Sequence, residues 1–215
     1  MTGPAATPAT PATPPVRLVL ATRNAGKIVE LRRILAPYAV ELVGLDDVRP
    51  FEPGPETGAT FAENALAKAR EACLATGLAA IADDSGLRVD ALNGMPGVLS
   101  ARWAGRHGDD LANLELLLGQ VGDVPDDRRG AEFVCAAAFW LPDGRSAVVE
   151  GVLRGALLRT PRGTGGFGYD PVLVPVGSDR TTAELTAAEK DAISHRGQAF
   201  RALAPVLAAE LLSRC

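Results

Sequence analysis

Two adjacent carboxylates, Asp83 and Asp84, close the short apolar run that begins at Ile81, and Ser85 and Gly86 follow them. Open α/β sheets bind ligands at the carboxyl ends of their strands, and a carboxylate placed there can hold a divalent cation or take a proton from water. Successive strand residues face opposite ways, so the two acids divide labour in one site only if the strand is already turning here. Ser-Gly permits such a turn. Taken alone, the string equally fits an Asx-turn that ends a strand.

Other strings carry complementary chemistry. Thr22, Arg23, Asn24, Ala25, Gly26 and Lys27 form a polar turn feeding a helix start, with a hydroxyl, a carboxamide, a glycine and a lysine. Free N–H groups and the helix dipole at such a terminus favour phosphate, although Asn24 as a simple cap and Lys27 in solvent fit the string as well. It is no Walker A loop, since the second glycine and the Lys-Ser/Thr pair are missing. Residues 163–170 are glycine-rich and contain Phe167, Gly168, Tyr169 and Asp170. Such a loop lets main chain approach a ligand while Phe167 or Tyr169 stacks on a planar base, or it is a flexible connection. Near the C-terminus Lys190, His195 and Arg196 gather three potential cations, with Lys190 and Ser194 at i, i+4 on one helical face and His195 beyond them. That face suits a phosphate or a polar base edge, or it is a solvated helix end. Of the remaining acids Glu63 serves a helix cap, which leaves Glu56 as the better metal ligand. Magnesium takes a few carboxylates together with substrate phosphate oxygens. No Gly-x-Ser-x-Gly elbow supports serine hydrolase chemistry.

The elements that must position these groups alternate. Residues 16–21 read as a first strand, and Ile28, Leu31, Ile34 and Leu35 follow at helical spacing. Thr60 and Glu63 form a capping box for a helix through Leu66, Ala69 and Cys73 that Gly77 stops, leading directly into the Ile81 strand. Asp109 caps a third helix marked by Leu111, Leu114, Leu117 and Leu118. Residues 131–140 and 146–153 read as a hairpin around Pro142, Asp143 and Gly144, and residues 171–174 as a short strand. Thr186 and Glu189 cap a closing helix with Ala199, Leu203, Val206 and Leu207, kinked at Pro205. The fold class is α/β with a mixed sheet.

Of the 215 residues, 47% are hydrophobic and 22% charged, which is enough for a substantial core in residues 16–215. A net charge of −4 argues against a phosphate-neutralising nucleic-acid surface. The three cysteines, Cys73, Cys135 and Cys215, lie far apart, and with only two histidines a zinc site or disulfide framework is not expected; a reducing cytoplasm is the natural setting. Residues 1–15 repeat Pro, Ala and Thr without a charge and read as a disordered tail rather than a targeting signal. No segment has the long apolar run of a membrane span.

The strings occur in a recognisable order: Thr-x-Asn-x-x-Lys at 22–27, Glu-Thr-Gly and Phe-x-Glu-Asn-Ala within 56–65, and Ala-Asp-Asp-Ser-Gly-Leu at 82–87. Pro-Gly-Val-x-Ser-Ala-Arg at 96–102, Gly-Thr-Gly-Gly-Phe-Gly-Tyr-Asp-Pro at 163–171 and Ile-Ser-His-Arg-Gly at 193–197 follow. From Val16 onward the chain closely resembles the inosine triphosphate pyrophosphatase family. The resemblance implies an elongated mixed sheet flanked by helices, with two lobes around a central cleft, in a cytoplasmic homodimer that binds neither nucleic acid nor membrane. It implies Mg2+-dependent hydrolysis of dITP, ITP and XTP between the α and β phosphates. By position, Asp84 would be general base and metal ligand, with Glu56 and Asp83 completing the acidic site. Thr22, Arg23, Asn24, Ala25, Gly26 and Lys27 would grip the phosphates and Ser85 would touch the substrate. Phe167, Gly168, Tyr169 and Asp170 would hold the base, with Lys190, His195 and Arg196 closing over base and phosphate, and Lys27 and Lys190 absorbing developing charge. Arg23 stands where small residues are frequent in that turn, and Pro55 precedes Glu56; neither difference is expected to alter activity. The competing readings are a pyrophosphatase for modified pyrimidine or other damaged nucleotides, and a catalytically silent nucleotide sensor.

Overall fold

The computed structural model describes residues 16–38 and 40–212; the expected tail at 1–15 and Cys215 lie outside the described residues. Six strands form one mixed sheet, β1 (Val16–Leu20), β2 (Val40–Val43), β3 (Ala80–Val89), β4 (Gly130–Trp140), β5 (Ser146–Leu157) and β6 (Leu173–Pro175), in the order β2-β1-β3-β4-β5-β6. β1 runs parallel to β2 and β3, and the rest pair antiparallel. The two parallel pairings are reached through α1 (Ala25–Leu35) and α2 (Phe61–Thr76), and α3 (Asp110–Gln120), α4 (Ala187–Ile193) and α5 (His195–Leu212) complete the helices. At about 3.3 Å per residue, the 12-residue β5 extends roughly 40 Å, which gives the sheet its length.

Local chemistry accounts for most boundaries. Asn24, Thr60, Asp109 and Thr186 each accept an N–H from the first turn of their helix, and Leu141 accepts from Gly144 N–H at 2.9 Å to close the hairpin. Thr186 and Glu189 form a full capping box. At α2 the box is only half made, because the Glu63 carboxylate accepts from Ala59 N–H at 2.7 Å rather than from Thr60.

Two expectations are corrected, and one element is added. The strand carrying Asp83 and Asp84 does not turn at Ser85; β3 continues to Val89, with Gly86 in register with Val134. Gly86 is needed for a different reason: a Cβ there would collide with the Ser100 side chain and the Gly97 carbonyl, which lie against β3 in the 3-10 turn Gly97–Arg102. The closing helix is two helices, broken at Ser194, whose extended backbone (ψ 150°) redirects the chain between Lys190 and His195. β2, for which no element is expected from the sequence, is an edge strand of four residues, too short to be told from a loop by its pattern alone and fixed by parallel pairing to β1 from Val16↔Val40 onward.

Alternation along β3 separates two apolar layers. Ile81 faces α1 and α5 with Leu18, Leu20, Ala137 and Phe139, while Ala80 and Ala82 face Phe61, Ala65, Ala69 and Ala72 of α2. A third cluster joins Leu87 and Phe133 to Leu114 and Leu117 of α3 at the far end of the sheet. β1 pairs with β3 only at Val19↔Ala80 and Leu20↔Ile81. Beyond that point this edge of β3 has no strand partner, the Asp83 carbonyl accepting from Lys68 Nζ at 3.4 Å, until Ser100 Oγ meets Leu87 N–H at 2.9 Å. The cleft opens at this gap.

Candidate active site

Because β3 does not turn, Asp83 and Asp84 project to opposite faces of the sheet, and their surroundings differ accordingly. Asp84 lies on the α2 side, where its oxygens accept from Lys68 Nζ at 2.9 Å and Asn64 Nδ2 at 3.0 Å. Lys68 Nζ also meets Glu56 Oε1 at 2.5 Å, so one ammonium bridges the two carboxylates. Burial holds the Asp84 carboxyl above the ordinary aspartate range, outweighing the pull of Lys68 and Lys27. Glu56 is held below its ordinary range: burial raises it, but the combined attraction of Lys68, Lys27 and Arg102 prevails.

Asp83 lies on the α1/α5 side with its side chain fully enclosed, 2.9 Å from Lys27 Nζ and 3.3 Å from Arg196 Nε. Burial alone would raise this carboxyl; the neighbouring cations overcome it and keep Asp83 anionic far below the usual range. Arg196 donates further to Ser85 Oγ at 2.8 Å and to Glu30. Glu30, one turn beyond Lys27 on α1, reaches Lys190 Nζ at 2.9 Å with its other oxygen. Asp170 takes the same ammonium at 2.6 Å and also accepts from Phe167 N–H at 2.8 Å. A continuous buried ion network thus fixes α1, α4, α5 and the glycine-rich loop to β3.

That network shapes the other end of the cleft. The Phe167 ring lies 5.2 Å from Lys190 Nζ and 5.6 Å from the Arg196 guanidinium carbon. Its edge rests on α1, where a Cβ on Gly26 would fall 2.8 Å from Phe167 Cδ1, so only glycine admits the ring there. Tyr169 is not a stacking platform: it is buried in the third cluster and its hydroxyl donates to the Ser100 carbonyl at 2.9 Å. His195 is buried and stacked on Phe133 at 4.9 Å between ring centroids. Burial and the adjacent Arg196 and Lys190 keep its imidazole neutral, and its Nδ1 has no hydrogen-bond partner among the described residues.

The cleft between these ends has a volume of about 600 Å³ and is lined by Thr22, Arg23, Asn24, Lys27, Glu56, Asp84, Ser85, Phe167, Gly168, Tyr169, Asp170, Lys190, His195 and Arg196. Ala25, Gly26 and Asp83 do not line it; the first two stand at the start of α1 beneath Phe167, and Asp83 anchors cations behind the wall. Glu56 and Asp84 therefore come together, and Asp83 does not join them. The residues that sequence reasoning missed are Lys68, Asn64 and Glu30. Each is a polar residue set among small or apolar neighbours of a helix, Asn64 beside Ala65 and Glu30 beside Leu31, and an anomaly of that kind is the signal that could have found them.

A mixed α/β sheet with an acid from the middle of one strand, a second acid from a neighbouring loop, and a cation-lined cleft beside them is the framework of an enzyme for an anionic, planar-headed ligand. Comparison with known proteins narrows this. The model of the Ham1 family matches residues 18–206. A dITP/XTP pyrophosphatase of Streptomyces coelicolor is 65% identical over 193 residues, covering 89% of this chain and 96% of the relative, and one of Nocardia farcinica is 62% identical over 90% and 95%. Among solved structures, the nucleoside-triphosphatase / dITP/XTP pyrophosphatase of Mycobacterium abscessus superposes with a TM-score of 0.73 at 60% identity, covering 87% of this chain and 98% of that one. The Ham1 protein of Staphylococcus aureus gives 0.80 at 39% identity, over 90% and 99%. The chain belongs to the Ham1 family.

Proposed function

We propose that this chain hydrolyses the non-canonical purine nucleotides dITP, ITP and XTP to the nucleoside monophosphate and pyrophosphate, removing them from the nucleotide pool. The relatives named dITP/XTP pyrophosphatase support the reaction, and the observation that carries the assignment of roles is the convergence of Asp84 and Glu56 on Lys68 at one side of a cleft whose other side is Phe167, Lys190 and His195. The opposed environments of the two aspartates separate their tasks. Asp84, with its raised pKa, is suited to accept a proton, and Asp83, held as an anion, is suited to hold Lys27 and Arg196 in place.

In the proposed reaction Asp84 takes a proton from the water that attacks the α phosphorus, and the bond to the α–β bridging oxygen breaks as pyrophosphate leaves. Lys27 and Lys68 face the phosphates and absorb the developing charge. Lys190 takes no part in this step, because it is buried on Glu30 and Asp170 at the Phe167 end. The acidic pair fits magnesium: two hard oxygen ligands, short of a full cage, leave room for substrate phosphate oxygens, and no cluster of three or more metal-binding side chains exists among the described residues. Held by Glu56 and Asp84, Mg2+ would supply Lewis-acid polarisation of the phosphate oxygens.

At the other end the base would stack on Phe167 with its 6-oxo edge toward Lys190, His195 and Arg196. A 6-oxo group accepts a hydrogen bond where adenine's 6-amino group donates, so ATP would leave buried donors unpaired at a cost of about 1–3 kcal/mol per group. We assign residues 16–215 to one catalytic domain and place it in the cytoplasm as a homodimer; no helix among the described residues is long and apolar enough to cross a membrane. The test is pyrophosphate release from ITP, dITP, XTP, GTP and ATP with and without Mg2+. Metal-dependent release confined to the first three is expected, and release from none of them would overturn the assignment.

A further inference from the structure

The Phe167 ring is the platform on which the proposed base stacks, and its own backbone does little to hold it. Phe167 lies between Gly166 and Gly168, whose φ angles of +75° and +60° place both in the left-handed region that glycine enters at least cost. A loop of this kind keeps one position only where bonds fix it. Two such bonds meet at the ring. Asp170 Oδ2 accepts from Phe167 N–H at 2.8 Å, and Lys190 and Thr182 hold that carboxylate in turn. Asp110 Oδ2 accepts from the next amide, Gly168 N–H, also at 2.8 Å, and it comes from α3, 58 residues earlier in the chain.

Asp110 is itself held in place. It is the first residue of α3, and Asp109 before it caps the helix by accepting from Ala112 N–H at 3.2 Å. The buried Asn113, one turn on, accepts from Ala104 N–H at 2.7 Å and fastens the chain that leads into the helix. Leu114 and Leu117 of α3 pack with Tyr169, the residue after Gly168, in the third apolar cluster. The start of α3 and the glycine-rich loop are thus joined twice, by packing at Tyr169 and by the Asp110 bond at Gly168. Asp110 and Gly168 both line the cleft, so the joint lies at the site and not behind it.

We infer that Asp110 is a positioning residue for base recognition: by tying the Gly168 amide to the start of α3 it sets where the Phe167 ring stands, and so how tightly a purine is stacked. The inference rests on the pyrophosphatase reading for the identity of the base, and it adds a residue from outside the glycine-rich motif. Its effect falls on ligands that carry a base and spares those that carry phosphate alone.

Titration calorimetry with inosine monophosphate and with inorganic pyrophosphate separates the two kinds of ligand. Asp110→Ala should bind inosine monophosphate about 10-fold more weakly than wild type, the effect of one hydrogen bond to a charged acceptor, and pyrophosphate equally well. Asp110→Asn keeps an oxygen acceptor and should recover most of the loss. In a Phe167→Ala background, Asp110→Ala should change inosine monophosphate binding by less than about 2-fold, because the ring it positions is gone. Unchanged inosine monophosphate binding in Asp110→Ala, an equal loss for pyrophosphate, or a full loss that persists without the ring would each overturn the inference. If wild-type protein releases no pyrophosphate from ITP, the pyrophosphatase reading falls and the titrations still decide the role of Asp110; a wild type that does not bind inosine monophosphate would overturn the base platform and this inference together.

Discussion

Asp83 and Asp84 are neighbours in sequence, yet replacing each by asparagine should damage different properties. Asp83→Asn removes the charge that Lys27 meets at 2.9 Å and Arg196 at 3.3 Å, inside a region where the Asp83 side chain has no exposure and that of Arg196 only 2%. Breaking a buried ion pair from one side costs about 3–5 kcal/mol, because the partner charge stays desolvated. Two cations share this carboxylate, although Glu30 retains part of Arg196, so the middle of that range is expected. For a chain of this length such a loss lowers Tm by roughly 6–20 °C. Asp83 has a depressed pKa, so its stabilising contribution is complete above the unfolded value near 3.8 and fades as pH falls through the folded one; the gap between wild type and variant should be full at neutral pH and shrink in strong acid. Asp84 has the opposite sign. Its anion is disfavoured in the fold, so Asp84→Asn should stay within about 1 kcal/mol of wild type at neutral pH while abolishing turnover and retaining much of nucleotide binding. Urea unfolding with matched turnover assays measures both. A wild-type midpoint for Asp83→Asn would refute the anchoring role, and near-normal turnover in Asp84→Asn would remove it as the base.

Lys68→Met takes away the nearest of the cations that lower the Asp84 pKa, so it should move the acid limb of kcat to higher pH and reduce kcat by about 10²–10³-fold. A limb that stays in place in Lys68→Met would mean another group sets it. His195→Ala should reduce the preference for ITP over ATP by about 10-fold, and an unaltered ratio in competition assays would exclude His195 from reading the base. Gly26→Ala forces Phe167 away from α1 and should raise KM for ITP by up to about 100-fold with the melting temperature little changed; an unchanged KM would show that the ring is not part of the base pocket.

Much of this architecture is legible in the chain because it is written in local chemistry. The four helix caps, the hairpin at Pro142 and the stop at Gly77 depend on residues adjacent in sequence. The shape of the site depends on residues that are not. Whether β3 turns after Asp84 is decided by Ser100, fourteen residues past Gly86, since Gly86 reads equally as a turn residue and as a place where another segment lies close. The break at Ser194 is similar: Lys190 to Arg196 reads as one helical face, but Lys190 must meet Glu30 and Asp170 while Arg196 meets Asp83, and one straight helix does not present both. Lys68 reads as an ordinary solvated helix lysine unless its setting between Ala67 and Ala69 is weighed, and the fold brings it between Glu56 and Asp84. The metal-binding role of Asp83 rests only on its position in the family's motif, whereas alternation along β3 sends its side chain to the face opposite Asp84, onto Lys27 and Arg196.

The unpaired edge of β3 has one more consequence. In the proposed binding mode a ligand straddles a single strand, with its reactive centre over the face backed by α2 and its aromatic head over the face backed by α1 and α5. Each half of the task therefore rests on its own apolar layer. A packing change beneath Ala65 or Ala69 should then disturb how fast the bond breaks, and one beneath Phe200 or Leu203 which base is accepted. Turnover and selectivity can drift independently under mutation, and natural variants of this chain should sort by the side of the sheet on which their substitutions fall.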